Sequence, residues 1–203
     1  MSIAAAPSAA PATMRPLPTA YVPYAATMGA ALTLAGDAYH LFILHDRPTQ
    51  AGTVAYAAHG LALMLGLLLL LMAALSVARP HPLTRAGLPT LVIGTGLVVG
   101  DVWAESIVLP GVLTGTATEL LGHDTSGRHL AFVIAAFALF ATGWLLFALT
   151  MRPTDGAVTW LLIIGAVLAF LPIPGSYVLL ATGACLVILR AHARTGQHDA
   201  SEA

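Results

Sequence analysis

The sequence predicts an all-α, polytopic integral membrane protein: a bundle of six transmembrane helices with both termini in the cytoplasm. Three observations carry this. Hydrophobic residues make up 58% of the 203 residues and charged ones 8%, with a mean hydropathy of +0.87, a composition outside the range of soluble globular domains. The apolar residues gather into six segments punctuated by Pro, Gly and charged residues. The arginines crowd into alternate connections, which orients the spans.

The chain opens on "MSIAAAPSAAPATMRPLP", rich in Ala and Pro and lacking the charged start and apolar centre of a secretory signal. Residues 1–20 are therefore expected to form a disordered tail, and 21–191 the membrane domain. The apolar segments run over about 24–44, 53–77, 88–109, 129–151, 157–171 and 175–189. The first four have normal spanning length. The last two have about 15 residues each, near 22 Å at 1.5 Å per residue, short of a ~30 Å hydrocarbon core. They read as two short tilted spans or as a re-entrant hairpin, turned by "LPIPGSY". Residues 192–203 are polar and are expected to form a flexible tail. No internal repeat is visible.

Six spans place Arg15, Arg79, Arg85, Arg152, Arg190 and Arg194 on one side and only Arg47 and Arg128 on the other. The arginine-rich side is expected to be cytoplasmic, which makes this a multi-pass protein of the cell membrane. The chain contains no lysine and no asparagine, the coding bias of a GC-rich bacterial genome. Without lysine there is no Schiff base to retinal or pyridoxal phosphate. The single cysteine, Cys185, lies in an apolar stretch and reads as a small core hydrophobe; it excludes an intrachain disulfide and a CxxCH haem attachment. No phosphate-binding glycine loop, nucleophile elbow or HExxH motif occurs, and nothing points to a nucleic-acid partner.

Within this apolar chain, "GDVWAESIVLP" places Asp101 and Glu105 four residues apart inside a span. Counted from the outer end of each span, Asp37 and His40 lie about 10 and 6 Å deep, His59 about 9 Å, and Asp101 and Glu105 about 12 and 6 Å. His129 marks the outer rim, and His45, Asp46, Glu119, His123 and Asp124 fall in the outer loops. The ionisable residues form one layer in the outer half. Asp37 with His40 and Tyr56 with His59 are three apart, so each pair shares a helix face, as do Asp101 and Glu105. With the first three helices adjacent, Asp37, His59 and Asp101 are expected to point into one outward-opening cavity, while Tyr39 and Val102 face elsewhere. Gly36, Gly60, Gly94, Gly96 and Gly100 would let these helices approach closely.

Glu105 and His40 lie within snorkelling reach of the headgroups. An aspartate is too short to snorkel and costs about 2.5–3.5 kcal/mol at a span centre, so Asp37 and Asp101 call for a partner or a task. A structural network that specifies helix packing would supply one. Trp103 and Trp144 read as core or lipid-facing aromatics and Trp160 as an interfacial anchor.

Three chemistries suit His, Asp and Glu without thiolates. The first is acid–base catalysis by Asp37, His59, Asp101 and Glu105 on a lipophilic, isoprenoid-like substrate, an isomerase or cyclase reaction that requires no cofactor: a carboxyl group withdrawn from water donates a proton and an imidazole accepts one. The second is a divalent metal held by His40, His59, Asp37 and Glu105, or a b-type haem between His40 and His59. The third is a proton- or cation-coupled carrier, against which the confinement of the polar residues to one half argues. A non-catalytic subunit that binds a protein partner through the same layer is the remaining reading. Acid–base chemistry is the leading expectation.

Overall fold

A computed structural model describes residues 17–42, 53–108, 128–151, 156–170 and 175–201. Among them the chain is helical throughout, with no strand: α1 (Val22–Phe42), α2 (Val54–Val77), α3 (Pro82–Trp103), α4 (Arg128–Met151), α5 (Gly156–Ala169) and α6 (Ser176–Ser201). The helix ends follow local chemistry. Thr53 caps α2 by accepting the Tyr56 N–H at 3.1 Å, and His81 caps α3 through Nδ1, which accepts the Leu83 N–H at 3.2 Å. Pro82 sits at the start of α3, where its missing N–H loses nothing. That cap places the start of α3 six residues before the expected 88, because Pro82, Arg85 and Pro89 lower the hydropathy of a stretch that is nevertheless helical. At its other end α3 passes into a π-helical turn, Ala104–Val108.

Four helical stretches are long and apolar enough to cross a membrane: Val54–Val77, Pro82–Ile107, Ala131–Met151 and Ser176–Thr195. Only α5, with 14 residues, is short. The expectation that the last two segments are both short is therefore corrected for α6, whose 26 residues continue through the segment expected to be a polar tail as far as Ser201. Ala, Arg, His and Gln carry the helix on after hydrophobicity ends, with no proline to stop it.

The helices form a ring. Each packs on its neighbour in chain order, α6 returns to α1, and α6 also touches α2. Trp144, Phe140, Leu67, Leu70, Leu91, Leu162, Leu180 and Ile188 fill its centre, and Cys185 is buried with them. Trp103, Phe132, Ile134, Trp160, Ile164 and Val167 face outward and are exposed, the surface expected of a bundle that meets lipid. Between helices in a bilayer apolar burial would offer little drive, which makes close backbone approach matter more. A Cβ on Gly29 of α1 would stand 2.9 Å from the Gly66 carbonyl oxygen of α2. Gly94 and Gly143 similarly admit the backbones at Phe140 and Leu91, joining α3 to α4, and Gly165 and Gly183 admit those at Leu180 and Leu162, joining α5 to α6. Gly96 and Gly100, expected to serve the same purpose, face open space.

Candidate functional site

α1 lies between α2 and α6, so two of its faces meet protein. Asp37, on the α6 side, is 2% exposed. Its Oδ1 accepts the N–H of Gly175 at 3.1 Å, and the N–H groups of Tyr177 and Val178 face the same carboxylate. These are amides at the start of α6, where a helix leaves N–H groups short of intrahelical acceptors, although that of Val178 also reaches the Gly175 carbonyl. Gly175 reaches this position at φ 91, a conformation open to glycine and strained for other residues. An aspartate of one helix thus caps another, and the partial positive charge of the α6 N-terminus, about half a unit, offsets the carboxylate.

Tyr177, one residue into α6, stands within electrostatic reach of Asp37, Asp101 and Glu105. All three carboxylates thus lie toward the end of the bundle that holds this phenol. Asp101 is buried on α3, while Glu105, in the π-helical turn, is exposed, as a snorkelling residue would be. Phe140 of α4 meets the phenol ring edge to face at 6.1 Å and Phe137 lies tilted against it at 6.4 Å, between centroids. Ser106, in the same π turn as Glu105, is buried against α2: a Cβ on Gly60 would overlap its side chain. Gly60 is what allows the turn to close on α2.

His59 occupies the other face of α1. Its Nδ1 lies 2.6 Å from the carbonyl oxygen of Tyr56; that oxygen can only accept, so Nδ1 carries a proton and donates it to Tyr56. Tyr39 stacks on the imidazole at 5.5 Å and Tyr56 meets it edge-on at 5.0 Å. The structure corrects the expectation that Tyr39 and Val102 face away. Tyr39 packs on His59, and Val102 lies against α2 near Gly60. The expectation treated α1 as having one protein-facing side, whereas α2 and α6 grip it from two.

Among the described residues, no three His, Cys, Asp or Glu side chains gather to hold a metal ion. The metal and haem readings drew on His40, whose side chain lies outside the described residues, as do the side chain of His129 and the loop residues His45, Asp46, Glu119, His123 and Asp124. Sequence reasoning missed Ser176, Tyr177 and Ser106. The signal for the first two was present in "PGSY", which starts a helix with a serine and a tyrosine at the depth of the carboxylate layer. Compared with known proteins, the chain matches no family model, no curated protein and no solved structure.

Proposed function

We propose that this chain is a multi-pass membrane protein with cytoplasmic termini, and an acid–base enzyme of isomerase or cyclase type that acts on a lipophilic, isoprenoid-like substrate. The topology rests on the arginine asymmetry, with Arg79, Arg85, Arg190 and Arg194 at the end of the bundle opposite Asp37 and Asp101. The short α5, about 21 Å long, crosses by local thinning of the bilayer. Labelling of a cysteine introduced after Ser201, in a Cys185→Ser background, is expected only after the cells are opened; labelling from outside intact cells would reverse the topology.

The observation that supports the chemistry is that Asp37, Asp101 and Glu105 lie within electrostatic reach of Tyr177 at the end of the bundle that also holds His59, whose Nδ1 is turned to the Tyr56 carbonyl. In this reading the Asp101 carboxyl group gives its proton to one carbon of an alkene, whose π electrons form the new C–H bond. The cation forms at the other alkene carbon, and His59 Nε2 removes a proton from the carbon beyond it, whose C–H pair becomes the new double bond, so nothing is oxidised or reduced. Glu105, exposed to water, returns a proton to Asp101, with the Tyr177 hydroxyl between them. The aromatic faces of Tyr39 and Tyr56 stabilise the cationic centre that forms in passing.

The test is hydrogen exchange. Purified protein in nanodiscs, given a panel of prenyl lipids in D2O, is expected to place deuterium at allylic carbon, read by mass spectrometry. Asp101→Asn is expected to lower the exchange rate 10²- to 10⁴-fold, the usual effect of losing a positioned acid, with an unchanged thermal melt. Wild-type exchange by this variant sinks the reading.

A further inference from the structure

Two buried oxygens at the N-terminus of α6 have no hydrogen-bond partner among the described residues. One is Asp37 Oδ2, the carboxylate oxygen other than the one that takes the Gly175 N–H, and the other is Ser176 Oγ. Asp37 is 2% and Ser176 4% exposed. Leaving a polar group unsatisfied at such burial is costly, and more so for a charged one, so buried polar atoms are nearly always paired. Their neighbours on the chain are paired: Oδ1 of the same aspartate accepts from Gly175, and the Gly175 carbonyl accepts the Val178 N–H at 3.2 Å.

The chemistry of the two atoms defines what would fit. Asp37 Oδ2 needs a donor, whereas Ser176 Oγ offers a donor and needs an acceptor. A single hydroxyl placed between them would satisfy both, giving its hydrogen to the carboxylate and taking one from the serine. A cation suits the position poorly, because the N-terminal charge of α6 already offsets the aspartate. An ether or ester oxygen supplies no hydrogen for Oδ2. Tyr177, the next residue, packs on the aromatic rings of Phe137 and Phe140.

We propose that Asp37 and Ser176 form the binding site for the hydroxyl group of a lipophilic alcohol, a substrate or product of the site described above. This rests on the acid–base reading for its role, and adds the class of compound and the atoms that recognise it. Asp37 is then a positioning residue: it holds the α6 cap with one oxygen and the alcohol with the other.

The probes are a hexadecanol carrying a diazirine and its methyl ether, photo-crosslinked to the full-length protein in nanodiscs and mapped by peptide mass spectrometry. The alcohol is expected to label peptides around Gly175–Tyr177 about tenfold more than the ether, in keeping with a hydrogen bond to a charged acceptor. Asp37→Asn keeps an oxygen for Gly175 but presents N–H where Oδ2 was, so the preference is expected to turn toward a matched ketone probe. Ser176→Ala, which leaves the cap intact, is expected to weaken labelling by the alcohol and leave that by the ether unchanged. Equal labelling by alcohol and ether, with both variants folded by size-exclusion chromatography, overturns the proposal and assigns the two oxygens to water alone. Labelling needs no turnover, so the two readings fail separately. Alcohol preference without deuterium exchange removes the enzyme reading only, and exchange without alcohol preference removes this one only.

Discussion

The end of the bundle that bears Asp37 and Asp101 and the end that bears Arg79 and Arg190 hold their helices by different means. At the carboxylate end one helix reaches into another with a functional group: Asp37 of α1 takes the first amide of α6, and Ser106 fills the space left by Gly60. From mid-bundle to the arginine end the hydroxyls turn back on their own helices, Ser76 to the Met72 carbonyl and Thr150 to that of Phe147. There the backbones meet at glycine, with Gly143 against Leu91 and Gly183 against Leu162. Glycine contact sets how near two helices come but leaves nothing chemical behind, whereas polar contact leaves lone pairs and protons that a ligand can use. Stability should therefore reside mainly in the glycine contacts and chemistry in the carboxylate layer.

The sharpest way to break this contrast is at Gly143. Gly143→Leu drives a side chain into the α3 backbone at Leu91 and is expected to destabilise the protein by about 3 kcal/mol, seen as loss of the monodisperse chromatographic peak in detergent. A wild-type melt would show that the backbones are not held where the contrast requires. Asp37 comes next. Asp37→Ala leaves the Gly175 N–H without its acceptor and is expected to cost about 2 kcal/mol, whereas Asp37→Asn keeps an acceptor and should stay within about 1 kcal/mol of wild type in thermal melting. Equal losses for the two would mean that charge, and not the cap, is what α6 requires.

Smaller effects sharpen the picture at the other end. Thr159, on α5, is fully buried and its hydroxyl has no partner among the described residues, so Thr159→Val is expected to raise stability by about 1 kcal/mol. A marked loss would point to an unrecognised ligand there. The smallest effect belongs to Gly96, which faces open space. Gly96→Ala should stabilise by about 0.5 kcal/mol through helix propensity alone, and a loss would reveal a contact with a second molecule.

Helix positions were legible where hydropathy and punctuation agree. The segment expected over 53–77 is α2, Val54–Val77, and that over 129–151 is α4, Arg128–Met151. Legibility failed where the two signals part. Polar residues extend α3 at its start and α6 at its end, because helix propensity persists after hydrophobicity stops. Within the site, Asp37, His59 and Asp101 stood out because burying them is costly, and all three are buried. Their partners were hidden for a physical reason. The groups that compensate Asp37 are backbone amides, which every residue carries, and a sequence does not say which helix end will present them. Tyr39 was misassigned because a helical wheel gives angles around one axis but not the number of neighbours.

The cap that α1 provides for α6 also orders the making of the protein. A chain emerging from the ribosome delivers Asp37 to the membrane about 140 residues before Gly175 follows, roughly ten seconds or more at bacterial or eukaryotic elongation rates. During that interval an aspartate lies inside a nascent span without its acceptor site, and nothing before α6 can supply those amides. Ring closure is thus an event of late synthesis, and a chain truncated ahead of α6 keeps an exposed acidic mark in its oldest helix.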